Sequence, residues 1–230
     1  VLFFIGKYLF TGWADGLVAV YFGLSSLLMY FLAIDNYNPY KKNKIYYFIA
    51  SCFFISLTLI KNEGFALLFI LFVSTFLVNI YTKKLRRNLK NLIYLSITFI
   101  PVLLWKYFCY SNGIGNDYVN MSIAENLLPR IINYENYLLI FYYLLLNEKF
   151  LFSLAFFSII FWKNKNSELF TFVFLNASIY ILTLFLIFLS TPLDFYFQLD
   201  STAARVIKTI SFLLGFFGLY NLSFPKQKLS

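Results

Sequence analysis

The chain has 230 residues, of which 61% are hydrophobic, 23% aromatic and only 13% charged, with a formal net charge of +9. A soluble domain is about half apolar and about a quarter charged, so this composition excludes an ordinary soluble fold and points to an integral membrane protein. Histidine is absent, which excludes histidine-ligated metals and histidine-based catalysis within these residues. The basic residues lie in short segments between apolar runs, where membrane topology places them, and not in a nucleic-acid surface.

The chain opens with VLFFIGKYLF, which lacks Met and a basic stretch and does not read as a signal peptide. We read it as the end of an earlier span or an interfacial piece, in a fragment whose N-terminal portion and first external loop are missing. Apolar runs follow at 17–34, 45–60, 65–81, 92–110, 150–162, 168–190 and 206–222. None alternates with period two, so they predict helices and not barrel strands. The expected fold is all-α, a polytopic transmembrane helical bundle of about seven spans forming a single domain. Residues 137–146 (YLLIFYYLLL) are too short to cross alone; they lie in the interface or extend the 150–162 span. Cys52 and Cys109 fall inside apolar runs and read as small buried hydrophobes, with neither disulfide nor zinc spacing.

Alternate loops divide the charges unevenly. The set 35–44, 83–90, 163–168 and 223–230 holds 12 of the 19 basic residues and two acids, Asp35 and Glu168; the other set holds seven basic residues and eight acids. The first set is therefore expected on the cytoplasmic side. TGWADG (11–16), KNEG (61–64), the loop 111–136 and STPLDFYFQLDSTAAR (190–205) then share the extracytoplasmic side. Two crossings within 137–162 would move the last of these to the other side.

Four stretches carry candidate chemistry. Charges inside a membrane helix cost about 2.5–3.5 kcal/mol each on insertion scales, so Lys61 and Glu63 with Asn62 and Gly64 need a reason. Either they form a tight interfacial turn with Gly64 as permissive backbone, or they face a polar cavity. Asp15 is a helix N-cap, a carboxylate facing an active site, or both. Arg205 either snorkels at a helix end or aims its planar fork at a phosphate. Lys208, three residues on and on the same helix face, would strengthen that anion site. Asp194 and Asp200 are expected to be solvated or to pair with Arg205. The 111–136 loop reads as a lid or an acceptor-contacting surface. Its NGIG lacks the strand–turn–helix context of a phosphate loop and reads as a turn. Trp13, Trp105 and Trp162 read as interfacial belt residues.

With IKNEG between two spans, TGWADG before an early span and STAAR opening a late one, the chain resembles bacterial polytopic glycosyltransferases of the GT-C superfamily, relatives of family 39. The resemblance implies a multi-pass protein of the bacterial inner membrane with an extracytoplasmic active site. It implies a polyprenyl-phosphate-linked sugar donor, a glycan or lipid acceptor hydroxyl, and inversion at the anomeric carbon. It assigns a carboxylate as general base, with Asp15 and Glu63 as candidates. Lys61, Asn62, Arg205 and Lys208 become the substrate and phosphate contacts. The family's own catalytic acid belongs in a first external loop upstream of this chain. No cofactor is indicated, and a divalent metal has no support in the residues. Competing readings are a polysaccharide polymerase or ligase, which would want more external arginines than Arg130 and Arg205, a multi-pass transporter, and a structural membrane subunit.

Overall fold

The computed structural model describes residues 14–35, 43–114, 123–164, 166–191 and 194–223. Among these residues every regular element is helical. In chain order they are α1 (Ala14–Ala33), α2 (Lys44–Ile60), α3 (Asn62–Tyr81), α4 (Leu85–Ser96), α5 (Phe99–Ser111) and α6 (Ile123–Ile132). Then come α7 (Tyr134–Leu145), α8 (Glu148–Asn164), α9 (Ser167–Ser190), the short α10 (Phe195–Gln198), a widened π turn over Leu199–Ala203, and α11 (Ala204–Ser223). The apolar runs thus become helices close to the expected bounds. Short polar side chains start several of them: Asn43, Asn133, Asn166 and Asp194 each accept a hydrogen bond from a first-turn backbone N–H, relieving donors that have no partner within the helix.

Five helical segments are long and apolar enough to cross a membrane: Ala14–Ala33, Glu63–Tyr81, Leu85–Ser111, Ser167–Ser190 and Phe195–Ser223. The pair α7 and α8 passes the same test jointly but bends by 66° between them, and α2, at 17 residues, is a shorter apolar helix. Among the described residues, length and composition thus give five candidate spans, or six with the bent pair, beside an expectation of about seven. Residues 137–146 accordingly form a helix of their own, bent against the one that follows.

α11 is the central element, packed against α8 and α1, while α3 packs against α9 and α2. Tyr30, Phe172 and Phe217 meet in the core with ring centroids 5.9–6.5 Å apart, in the tilted and edge-on geometries that aromatic quadrupoles favour. The exterior is equally apolar: Phe48, Leu104, Ile159 and Trp162 are all exposed. A water-facing surface does not carry such a face, and one turned to lipid does. With the five long apolar helices, this describes a membrane protein.

Three expectations change. Cys52 is exposed and Cys109 half-buried; both lie toward the apolar exterior and not in the core. The 92–110 run is broken at Ile97–Thr98 into α4 and α5. Pro101, in the first turn of α5, cannot donate the backbone bond that would carry the helix through. The 111–136 loop contains α6, packed against α9. Asn112 and Gly113 of its NGIG close α5, with Gly113 left-handed at φ 66°. Residues 1–13, which include Trp13, and 115–122 lie outside the described residues.

Candidate functional site

Three segments far apart in sequence converge at one end of the bundle. Asp15 stands in the first turn of α1. Lys61 is the extended residue that ends α2 and begins α3. Arg205 opens α11 directly after the π turn, a widened backbone often found at functional positions.

The turn between α2 and α3 is built around Gly64. A Cβ at this position would lie 1.9 Å from the Leu57 carbonyl oxygen and 2.7 Å from its carbon, so only glycine allows α3 to start this close against the backbone of α2. Gly64 is helical, and its backbone N–H donates to the Lys61 carbonyl at 2.9 Å. Its role is close approach, not the turn flexibility expected of it. The consequence for chemistry is that Lys61 and Glu63 are held in a compact, fixed corner.

From that corner the Lys61 ammonium donates to Asp15 Oδ1 at 2.8 Å and reaches Glu63 Oε1 at 3.0 Å. Arg205 Nε donates to Asp15 Oδ2 at 2.8 Å. Each carboxylate oxygen of Asp15 therefore binds a different cation. The Asp15 side chain is 10% exposed, against 29% for Lys61, 28% for Arg205 and 35% for Glu63. Asp15 is the hub and Glu63 the rim. Burial opposes the charge on Lys61, but the hydrogen bonds and charges of Asp15 and Glu63 outweigh it and hold the ammonium above its ordinary pKa.

Asp15 is not an N-cap: it lies inside the helix, with both oxygens committed to cations from other elements. As an acid in a first turn it still favours the helix dipole. Arg205 pairs with Asp15, 190 residues away. Of the two acids expected near it, Asp194 caps Phe197 with its side chain and Asp200 is exposed.

Lys208 lies one turn along α11, half-buried, within electrostatic reach of Arg205 and Asp15 and of Lys149 at the start of α8. Lys149 was not singled out from the sequence; position 149 is an ordinary helix start, and only the packing of α8 on α11 brings it in. Below the cluster, buried Tyr180 of α9 has both carboxylates within electrostatic reach. Its hydroxyl donates to the Val206 carbonyl at 3.5 Å and also bonds the Thr209 side chain. Neither residue carried a signal in the sequence. The side chain of Asn62 lies outside the described residues.

Arg130, counted with Arg205 as an external arginine, serves another purpose. It donates to the carbonyls of Thr191 at 2.6 Å and Phe188 at 3.5 Å, stacked 5.4 Å from the Phe195 ring centroid. It closes the C-terminal end of α9, where a cation is favoured. A polymerase-type reading thereby loses one of its two external arginines. No cluster of three His, Cys, Asp or Glu side chains that could hold a metal occurs among the described residues.

No family model, curated protein or solved structure matches this chain. The functional reading therefore rests on the site itself and on the motif resemblance.

Proposed function

We propose that the protein is a membrane glycosyltransferase that moves a sugar from a polyprenyl-phosphate-linked donor to an acceptor hydroxyl on the extracytoplasmic face. The observation that carries this reading is the convergence of Asp15, Lys61, Glu63 and Arg205, two acids and two bases drawn from three distant segments onto one end of an otherwise apolar bundle. Transfer from a lipid phosphate requires fixed positive charge where the leaving group accumulates its negative charge. It also requires a carboxylate to accept the proton of the attacking hydroxyl.

The two carboxylates divide these tasks by exposure. Asp15, nearly buried and bound on both oxygens, positions Lys61 and Arg205. Glu63, more exposed and bonded to Lys61, takes the acceptor proton. The acceptor oxygen attacks the anomeric carbon, the bond from that carbon to the phosphate oxygen breaks, and the polyprenyl phosphate leaves against Lys61 and Arg205, with Lys208 adding charge behind them. Asn62 belongs to the same turn and is assigned to donor contact by the resemblance.

The test uses membranes containing the full-length protein and a radiolabelled lipid-linked sugar. Arg205→Ala and Glu63→Gln each abolish transfer while the protein remains monodisperse in detergent. Transfer at the wild-type rate in both variants overturns the assignment.

A further inference from the structure

α4 differs from every long helix of the bundle in carrying a basic face beside an apolar one. Its sequence, LRRNLKNLIYLS, follows a turn containing Lys83 and Lys84. Lys84 pairs with Glu168. Among the described residues, Lys83, Arg86, Arg87 and Lys90 form no ion pair with a carboxylate, and all four are exposed.

Beside these charges, α3 and α4 leave an open apolar groove of about 330 Å³, walled by Phe72 and Phe76 on one side and Leu89 and Ile93 on the other. Arg86, Leu89 and Ile93 recur at three and four residues and therefore share one helix face, with Lys90 flanking it. Arg86 lies one turn before Leu89 on the face that walls the groove, and Lys90 lies beside it with its ammonium 5.7 Å from the Tyr94 ring centroid.

Leu85–Ser111 is 27 residues long, more than the about 20 that cross a hydrocarbon core. Arg86, Arg87 and Lys90 lie in its first two turns, and Lys and Arg near the end of a membrane helix reach for the headgroups. Lys83, in the turn before α4, sits at φ 58°.

We propose that this groove binds one anionic glycerophospholipid of the bilayer, with Arg86, Lys90 and Lys83 on its phosphate headgroup and an acyl chain between α3 and α4. The site lies at the end of the bundle opposite Asp15 and is independent of the transfer reaction. A zwitterionic lipid offers these cations no net negative charge, so charge complementarity selects the occupant.

The full chain is purified in mixed micelles containing equal phosphatidylglycerol and phosphatidylcholine, and the lipid retained after washing is measured by native mass spectrometry. The expected result is retained phosphatidylglycerol at one per chain in preference to phosphatidylcholine. Each basic residue near a membrane surface contributes about a fivefold preference for anionic lipid, so Arg86→Gln with Lys90→Gln lowers retention by about 25-fold. Ile93→Trp fills the groove and lowers retention with the charges intact. Equal retention of the two lipids, unchanged retention in both variants, or a lipid-free dimer occluding the groove would each overturn the proposal.

Discussion

At one end of the bundle Asp15, Lys61, Glu63 and Arg205 bind one another through their charges; at the other, beside the single Lys84–Glu168 pair, amide side chains bind backbone and one another. There, Asn79 donates to the carbonyls of Ala33 and Thr75 at 3.0 and 2.9 Å, Asn88 donates to the Asn79 side-chain oxygen at 2.6 Å, and Asn91 donates to the Leu32 carbonyl at 2.9 Å. Asn79 and Asn88 are buried. Amides there satisfy backbone carbonyls, including those at the end of α1, and lock α1, α3 and α4 together. Nothing in that arrangement needs a ligand to explain it. At the charged end the side chains of Lys61 and Arg205 bind a carboxylate from another helix, one that itself had to be brought into the bundle. The contrast separates a polar network that holds the fold from one that is available for chemistry.

The largest expected effect tests the corner that assembles the charged end. Gly64→Ala drives a methyl group into the backbone of Leu57, where no side-chain rotation relieves the clash. Overpacking against side chains costs about 1–3 kcal/mol, and against backbone the cost exceeds that range, so the variant fails to accumulate as folded protein in detergent. Normal yield and melting temperature would show that α3 can shift away from α2, and the fixed corner would be lost as an argument.

Next in size is Asp15→Ala. Removing one partner of a fully buried ion pair costs about 3–5 kcal/mol. With Lys61 and Arg205 each nearly a third exposed and Lys61 still held by Glu63, about 2 kcal/mol is expected from denaturant unfolding in micelles. Adding Arg205→Ala to it costs less than Arg205→Ala costs alone, because the two removals share one interaction. Strictly additive losses would mean that Asp15 and Arg205 do not act as a pair. At the amide end Asn79→Ala is smaller. Hydrogen bonds within membranes average about 0.6 kcal/mol by double-mutant cycle, so the loss of three side-chain bonds gives about 1–2 kcal/mol, with transfer per folded molecule unchanged. A loss of transfer in excess of the loss of folded protein would erase the distinction between the ends.

Most helix positions were legible in the sequence because each apolar run could only satisfy its backbone as a helix in lipid. The break at Ile97–Thr98 was legible too, in Pro101, but hydropathy averages over it. α6 was hidden because Ile123–Ile132 follows a polar stretch and contains Pro129, which reads as loop. At the site, the charge count placed Asp15, Lys61 and Arg205 on one side, and the structure puts them at one end of the bundle. It could not supply the pairing. Proximity in sequence favoured Asp194 and Asp200 as partners for Arg205, whereas packing of α11 on α1 brings Asp15 to it from the far end of the chain. Tyr180, Thr209 and Lys149 depend on the same long-range packing and left no local pattern.

The smallest effect has the opposite sign and separates folding from ligand binding at the amide end. α3 and α5 end in the same motif. After α5, the backbone N–H of Gly113 donates to the Tyr110 carbonyl and that of Ile114 to Cys109. After α3, Lys83 donates to Ile80 and Lys84 to Asn79. The left-handed residue is Gly113 in one and Lys83 in the other, at φ 66° and 58°, and a side chain there is strained where glycine is not. Lys83→Gly should therefore stabilise the protein by about 0.5–1 kcal/mol, measured in a zwitterionic detergent where no anionic headgroup can engage the lysine. The same substitution in phosphatidylglycerol micelles should gain less or nothing, because the lost lipid contact offsets the relieved backbone. Equal stabilisation in both media would leave the strain in the turn intact and show that Lys83 makes no contact with the lipid.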